Sequence, residues 1–519
     1  MNKLNVNYES LRIEYANGYY LDYLEDFPIN YNKLKKIEIY NNSVGDAFLE
    51  LNKGNDDQKY EESRTNSIVF PLILKATNLI HLSITYYAGF SNKISPKTFE
   101  FINKLKNLEY LKLDSLDFES KLILNLCNLR NLELKHCSNI DATNETYLKL
   151  KIFKIFKINT WEENEGKRLN KNILNYCPDL EEIKFCVPEF DIDNNINLKK
   201  LKKYKGNLNM FCLLESPLLE EANLKEEIES VQQFKKIIDK ISSLKYLKIL
   251  HLNLKIKFIK HEEISKIKFN NNLITEMYLN FSNDKYENSC LLFSSFQNNF
   301  RKLSNLYIKN KEEFYKIKGK YSKYPLFKII ENKNSNLKNI NIKLKNNLGI
   351  KIYCQPFENI ESVKISFLEF SCDSLNMEFP IFTNKCYKEF KSLKSFKLKF
   401  ECSFNFDIFY NLNNNLYHMP NLIKFSLKIH PKKDELYNYK KIYKIFLNNI
   451  LSMKNIKRIN INIFGEENYS KDELEQIFPD CNINKLSIVN ISKIPGDEVL
   501  FDNKNKPFKD YLYLKYIKY

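Results

Sequence analysis

The sequence predicts an α/β solenoid, in which short parallel strands alternate with connecting helices along one continuous hydrophobic core. A six-position pattern, apolar-x-x-apolar-x-apolar, recurs about 17 times at irregular spacings mostly between about 20 and 34 residues, and such repetition identifies a repeat architecture. We call this pattern the strand phrase. Segments of helical period lie between several copies, and strands joined by such crossovers are parallel. A hydrophobic content of 43%, with 38 Phe and 33 Tyr, is ample for a buried core.

Each strand phrase alternates apolar and polar residues, which is the signal of a strand with one buried face. We expect a single domain over residues 1–519, because each unit of a repeat array needs only its neighbours. Residues 1–30 are expected to form an N-terminal cap or partial repeat, and 493–519 a C-terminal cap. The copies begin at Leu11 (incomplete), Leu34, Leu79, Leu108, Leu129, Leu150, Leu180, Leu198, Leu219, Leu247, Ile274, Leu303, Leu337, Ile360, Leu393, Leu422, Ile456 and Ile483.

Four segments between the strand phrases predict helices. Ser95-Pro96 is typical of an N-cap followed by proline, with Phe99, Ile102 and Leu105 on one face. Residues 226–242 carry the clearest amphipathic pattern. Ile442, Ile445, Phe446 and Leu451 indicate a third helix, and Ser470-x-x-Glu473 is the capping-box pattern that opens a fourth.

Motifs for catalysis and for metal or cofactor binding are absent from the sequence. There is no Gly-rich phosphate loop, no HExxH and no GxSxG, and His261-Glu262-Glu263 lacks the second histidine of a zinc helix. Trp161 fits packing better than a ligand platform. We therefore expect no enzymatic activity, no cofactor and no metal.

Several features predict an intracellular protein. Residues 1–8 contain no apolar signal-peptide region, and no stretch approaches the roughly 18–20 apolar residues of a membrane helix. The 11 cysteines are scattered without paired spacing, which fits reduced thiols better than a disulfide framework. We expect a cytoplasmic protein, with the nucleus as the alternative and no membrane association.

Two passages carry a resemblance to a known family. Leu126-Cys127-Asn128-Leu129-Arg130-Asn131-Leu132-Glu133-Leu134-Lys135-His136-Cys137-Ser138-Asn139-Ile140 ends its strand phrase with a cysteine, and Leu174-Asn175-Tyr176-Cys177-Pro178-Asp179-Leu180-Glu181-Glu182-Ile183 resembles a helix-to-strand junction. Both are similar to the long, helix- and cysteine-containing leucine-rich repeats of F-box and RNI-like proteins. The resemblance covers about residues 8–492 and implies a curved horseshoe with strands on its concave face, helices on its convex face and protein recognition as the activity. We recognise no F-box-like segment before the first repeat.

The residues between and beside the buried positions of each strand phrase are predicted to face the concave surface. They mix charge signs early in the chain and are mostly basic or neutral later. This pattern fits either a docking face for an acidic partner or a solvated surface in a lysine-biased chain. The residues predicted to bind a partner are Lys112, Glu133, Lys184, Tyr307, Lys309, Lys343, Lys364, Lys397, Lys399 and Lys428.

The predicted function is a monomeric, non-enzymatic protein–protein interaction module whose partner is a protein, with an acidic one fitting best. One alternative is a substrate adaptor of a ubiquitin ligase with a diverged or missing F-box. Another is a polyanion or nucleic-acid binder, since the net charge is +17 and the pI is about 9.0. Arginine is scarce relative to lysine, which disfavours specific nucleic-acid recognition.

Two insertions interrupt the repeat. Residues 52–67 are polar and loop-like, and residues 309–336 interleave lysines with tyrosines. Insertions in repeat proteins often contact partners, so a binding loop is one interpretation; a longer crossover helix with a solvated end is the other. The residues concerned in the second insertion are Tyr315, Lys316, Lys318, Lys320, Tyr321, Lys323 and Tyr324.

Overall fold

A computed structural model describes 22 separate stretches of this chain, and it divides the chain into two compact units. Unit 1 comprises 1–228 and 232–254, and unit 2 comprises 229–231 and 255–519. The prediction of one domain over 1–519 stays a prediction. The described residues are 3–7, 9–15, 29–41, 73–86, 93–94, 100–118, 122–137, 140–156, 173–186, 196–256, 271, 273–283, 302–310, 336–344, 359–367, 391–404, 412–413, 416, 419–431, 436–463, 468–481 and 483–493.

Strands dominate the described part of both units. Those of unit 1 are β1 Lys3–Asn7, β2 Ser10–Tyr15, β3 Lys36–Asn41, β4 His81–Tyr86, β5 Lys93–Ile94, β6 Tyr110–Asp114, β7 Asp117–Phe118, β8 Leu122–Leu124, β9 Asn131–Lys135, β10 Ile140–Ala142, β11 Ile152–Phe156, β12 Glu182–Cys186, β13 Ile196–Asn197, β14 Lys203–Gly206, β15 Leu214–Glu215, β16 Glu221–Ile228 and β17 Ile249–Ile256. Those of unit 2 are β18 Glu276–Asn283, β19 Asn305–Asn310, β20 Asn339–Leu344, β21 Ser362–Phe367, β22 Ser395–Phe404, β23 Lys424–Pro431, β24 Arg458–Ile463 and β25 Ile488–Ile491.

Parallel pairing of successive repeats builds the main ladder of each unit. In unit 1 the order is β2-β3-β4-β6-β9-β11-β12-β14-β16, with β1 added antiparallel to β2. In unit 2 the order is β18-β19-β20-β21-β22-β23-β24-β25. The predicted strand-to-strand arrangement, an open parallel ladder of repeats, is confirmed in each unit.

The same backbone contact begins every one of these parallel pairings. One carbonyl oxygen accepts hydrogen bonds from two successive amides of the next repeat, as Glu220 does from Lys248 and Ile249 at the start of β17. The repetition of this contact fixes the register of each strand against its neighbour. The accepting residues are Glu9, Lys35, Ile80, Glu109, Arg130, Lys151, Glu181, Lys202 and Glu220 in unit 1, and Thr275, Ser304, Lys338, Glu361, Lys394, Ile423 and Lys457 in unit 2.

The buried side of each ladder is made by the apolar positions of the strand phrase. Leu129, Leu132 and Leu134 are all at most 5% exposed, while the intervening Glu133 is half-buried on the other face. Period-two alternation produces this separation because successive side chains of a strand point to opposite faces. The predicted core positions are therefore confirmed for most copies.

Two copies of the strand phrase lie three residues later than predicted. The copy assigned to Leu198 is formed by Leu201, Tyr204 and Gly206, because β14 begins at Lys203. The copy assigned to Ile483 is formed by Leu486, Val489 and Ile491, and Ile488 is 45% exposed. A turn precedes each strand. The hydrogen bond that closes this turn runs from the amide of the first residue of the strand phrase to the carbonyl three residues earlier, as from Leu201 to Leu198. That earlier residue is also apolar, so two frames fit the sequence equally well.

Helical content is low in the described part of the chain. The described α-helices are α1 Asn144–Leu148, α2 Leu208–Leu213, α3 Val231–Ser243, α4 Leu436–Leu451 and α5 Lys471–Ile477, with short 3-10 helices at Tyr31–Lys33, Glu100–Lys104, Ile173–Tyr176 and Ile483–Lys485. Several connections in unit 1 instead carry a second parallel pairing, as β8 with β10, β5 with β7 and β13 with β15. Leu122 and Leu124 are buried while Ile123 is 52% exposed, an alternation of period two that favours a strand over a helix.

All four predicted helices can be compared with the structure, and the one marked by Ile442, Ile445, Phe446 and Leu451 is confirmed as α4. The helix predicted over 226–242 begins instead at Val231, because Ile228 continues the buried alternation of β16. The capping box is confirmed, with Ser470 and Glu473 each accepting from the other's backbone amide. Around Ile102 a 3-10 helix replaces the predicted α-helix, whose start at Ser95-Pro96 lies outside the described residues.

Asparagine side chains tie neighbouring repeats together along one edge. The residue just before the leading apolar position is often asparagine, and its side-chain amide donates to a backbone carbonyl of the preceding repeat. Such a bond satisfies a carbonyl that the turn leaves open. The asparagines and their acceptors are Asn78 to Asn32, Asn107 to Thr77, Asn128 to Lys106, Asn421 to Lys391 and Asn455 to Pro420, at 2.7–3.1 Å.

Candidate functional site

The ten residues predicted to bind a partner all lie on the ladder face opposite the buried leucines. In unit 1, Lys112 pairs with Glu133 across β6 and β9, and Lys184 follows Lys154 one strand further on. Tyr307 and Lys309 lie on β19. The remaining five belong to β20–β23 of unit 2, and the two units present different electrostatic surfaces on this face.

Several lysines on the strand face of unit 1 contact a glutamate or an aromatic ring. Lys36 Nζ lies 2.9 Å from Glu38 Oε1, and Lys154 Nζ lies 3.2 Å from Glu182 Oε1. Lys184 Nζ stands 4.1 Å from the centre of the Phe156 ring, a cation–π contact. The first pair lies within β3, and the other two join the neighbouring strands β11 and β12.

A buried carboxylate closes the end of β6. Asp114 is 3% exposed; its Oδ2 accepts from Lys135 Nζ at 3.0 Å and its Oδ1 from Ser115 Oγ at 3.1 Å. His136 Nδ1 lies 3.4 Å from the same Oδ1. Both Ser115 and His136 adopt left-handed backbone conformations, with φ of 61° and 50°. The serine bonds the aspartate rather than the histidine, so this corner lacks the arrangement of a catalytic triad.

Cys137, beside that corner, is not an activated nucleophile. Its side chain is 7% exposed, and burial raises the pKa of the thiol to about 12. The same cause raises the pKa of Cys177 to about 12. Neutral thiols are poor nucleophiles, which leaves both cysteines as packing residues.

An aromatic pair lies on the unit 1 face next to the compensated charges. His81 and Tyr110 stack with ring centres 4.1 Å apart and an interplanar angle of 3°. Burial lowers the pKa of His81, with Lys36 acting in the same direction. The pKa of Tyr110 is raised to about 12, first by burial and then by the neighbouring carboxylate of Glu133. Both rings are therefore uncharged at neutral pH.

Five lysines form what we call the basic face of unit 2: Lys343, Lys364, Lys397, Lys399 and Lys428. The register places Lys364 directly opposite Lys397, and Lys399 directly opposite Lys428. Such pairs are one ladder step apart, about 4.8 Å between strands. In the described part of the chain no carboxylate lies within ion-pair distance of Lys343, Lys364, Lys397 or Lys428.

Lysines repel one another at the centre of the basic face. Burial lowers the pKa of Lys364 from its usual value, and Lys397, Lys343 and Lys399 each lower it further. No acidic group among the described residues acts in the opposite direction on Lys364. A charge held in this way gains stabilisation from any anion that approaches it.

A second stacked aromatic pair borders the basic face. Tyr278 and Tyr307 lie on adjacent strands with ring centres 4.1 Å apart and an interplanar angle of 4°. Burial, with Tyr307 and Glu276 beside it, raises the pKa of Tyr278. In the next row, Asn339 donates to Asn305 at 2.6 Å and Asn305 to Glu276 at 3.2 Å.

Two residues of the strand faces, Lys205 and Asn490, were not predicted from the sequence because of the shifted frames. We call the residues between the last two apolar positions of successive strand phrases the central row. Lys205 of β14 pairs with Lys184 and Asn223, so it belongs to the central row of the unit 1 face. At the other end of the chain, the shifted frame places Asn490 in the central row, opposite Asn460. These positions are identified by the hydrogen bond that closes the turn before each strand, and the sequence does not reveal that bond.

The predicted loop, histidine and tryptophan features lie outside the described residues. These are residues 52–67, the lysines and tyrosines of 315–324, His261-Glu262-Glu263 and Trp161. Within the described residues there is no group of three His, Cys, Asp or Glu side chains that could hold a metal ion. None of the helices in that part of the chain is long and apolar enough to cross a membrane.

Comparison with known proteins adds no relative to this geometry. No protein-family model matches the chain, and no curated protein matches it either.

Proposed function

We propose that this chain is a leucine-rich-repeat protein that binds an acidic protein segment on the basic face of unit 2, without catalysis. The observation that carries the proposal is the cluster of lysines on one face: Lys343, Lys364, Lys397 and Lys428 have no carboxylate within ion-pair distance among the described residues, whereas Lys36 and Lys154 of unit 1 each contact a glutamate. Uncompensated charge on one face steers an oppositely charged partner and sets its orientation.

The repeat geometry supports the family assignment that is part of this proposal. The strand phrases pair in parallel, and each pairing begins with one carbonyl that accepts two amides. Those features suit a curved horseshoe with its strands on the concave side, where the basic face would lie. The proposal places the protein in the cytoplasm as a monomer.

The spacing of the lysines favours an extended peptide as the ligand. Lys397 and Lys399 are two residues apart on one strand, about 6.6 Å, and Lys364 is about 4.8 Å away across the ladder. Alternate side chains of an extended peptide repeat at about 6.6 Å as well, so carboxylates at every second residue could each meet a lysine. Lysine serves here as a point charge and does not require a bidentate partner.

A titration with defined probes tests the proposal. We expect a fluorescent peptide with glutamate at alternate positions to bind the full chain, and its glutamine counterpart not to bind, by fluorescence anisotropy at about 50 mM and about 150 mM salt. An oligonucleotide of equal charge serves as the third probe. Tighter binding of the oligonucleotide, with a steep loss as salt increases, would favour the polyanion alternative. If neither anionic probe binds, the proposal is wrong.

Binding of the acidic peptide should weaken with rising pH earlier than an ordinary lysine would cause. The pKa of Lys364 is lowered in the free protein. A bound anion raises this pKa again, so binding is coupled to protonation of Lys364. Affinity therefore falls as pH rises from the lowered pKa of Lys364 towards the usual lysine value. Lys364→Arg keeps its charge throughout, so its affinity should remain level across that window. Parallel pH profiles of the two proteins would contradict this assignment.

A further inference from the structure

We propose that the acidic partner inserts an aromatic side chain above Asn341, between the ring of Tyr307 and the ammonium group of Lys364. This inference rests on the proposed function and specifies what the bound segment contains besides its carboxylates. The three residues occupy successive positions of the central row, on β19, β20 and β21.

The strand register spaces Tyr307 and Lys364 so that one ring would fit above Asn341. Tyr307 and Lys364 are two ladder steps apart, about 9.6 Å, and the residue between them is a short amide. A planar group that touches both walls at about 3.5–4.0 Å needs about 7–8 Å. The remaining slack is smaller than a second ring, so one aromatic group fills the space.

The existing stack shows that rings fit the pitch of this ladder. Tyr278 and Tyr307 lie 4.1 Å apart and nearly parallel because adjacent strands set their spacing. A ring above Asn341 would become the third member of that stack, one strand further on. The face of the Tyr307 ring opposite Tyr278 would supply the contact, because β20 follows β19 on that side.

Charge favours the same occupant from the other side. Lys364 would stand about one ladder step from the inserted ring, within the roughly 6 Å at which a cation is attracted to an aromatic face. Lys343, Lys397 and Lys399 surround Lys364 and would take up carboxylates that flank the aromatic residue. An acidic segment with a central tryptophan or tyrosine satisfies both requirements.

Peptides that differ only at the central residue test the inference. We expect an alternating glutamate peptide with a central tryptophan to bind the wild-type chain about tenfold more tightly than the same peptide with leucine. Asn341→Phe fills the gap, so it should abolish this preference while the leucine peptide keeps its affinity. Asn460→Phe, on the same central row of β24, should leave the tenfold preference unchanged.

The possible failures separate the two proposals. Equal affinity of the tryptophan and leucine peptides for the wild-type chain overturns the aromatic site and leaves the proposed function intact, and this comparison needs no variant. An intact preference in Asn341→Phe, or an equal loss for both peptides, also overturns it. Binding of neither peptide removes the proposed function together with this inference. An oligonucleotide that binds more tightly than the tryptophan peptide, and loses that advantage in Asn341→Phe, would overturn an aromatic side chain as the occupant of the site above Asn341. That result would indicate a nucleic-acid base instead.

Discussion

Replacing Lys364, Lys397 and Lys399 by glutamate should reduce the affinity for an acidic peptide at least about a hundredfold at low salt. The three side chains lie on adjacent strands, and the first two are directly opposed. An exposed ion pair contributes about 0.2–1 kcal/mol, and reversal turns each attraction into a repulsion of similar size. A total of about 3 kcal/mol corresponds to roughly two powers of ten in Kd.

A variant with the same change in net charge provides the control. Lys106, Lys245 and Lys454 are exposed in turns away from the strand faces, so their replacement by glutamate changes the charge equally. We expect this control to retain affinity within about threefold, since distant exposed charges are screened beyond about 10 Å. Equal losses in the two triple variants would show that binding follows net charge, and would remove the basic face as the site. Fluorescence anisotropy with the alternating glutamate peptide measures both.

Phe153→Ala should destabilise the middle of unit 1 by about 3–5 kcal/mol, the usual loss when a buried phenylalanine is truncated. The Phe153 side chain is completely buried, with the Phe185 ring 5.8 Å away edge-on and the Tyr147 ring 6.3 Å away. In a repeat array each unit contacts only its neighbours, so the effect should stay local. Hydrogen exchange should accelerate in β9, β11 and β12 and remain unchanged in β20–β23.

Ile152→Ala is the matched control for the cavity. Ile152 precedes Phe153 on the same strand but is half-buried on the opposite face. We expect a change in stability of less than about 1 kcal/mol there, because truncation leaves no enclosed cavity. Acceleration of exchange throughout both units in Phe153→Ala would contradict local coupling and indicate that the chain unfolds as one cooperative body.

The core was predictable from sequence because strand burial is a local property. Leu108, Leu111 and Leu113 alternate with polar residues, and all three are fully buried in the structure. The same logic identified the basic residues of β20–β23 as neighbours on one face. It failed for β14, where Leu198 and Leu201 are both buried and either could begin the strand phrase.

Connections were harder to predict than strands. Leu122-Ile123-Leu124 forms a short strand paired with β10, although the repeat as a whole suggested a helix between strands. That pairing depends on a partner in the next repeat, and three residues are too few for an alternating pattern to predict a strand. Similarly, the helix after β16 begins later than its amphipathic pattern suggests, because β16 extends to Ile228.

The sequence by itself determined the repeat and the identity of the buried residues, since the alternation of apolar and polar residues within the six positions of the strand phrase decides which side chains are buried. Only the tertiary structure decided how charges are compensated. Lys154 meets Glu182, whereas Lys364 meets Lys397, and both outcomes follow from the register between strands that are far apart in the chain. Electrostatic energy depends on distance through space, which sequence order does not specify. The difference between the Lys154–Glu182 ion pair of unit 1 and the basic face of unit 2 therefore arises only when the strands are aligned.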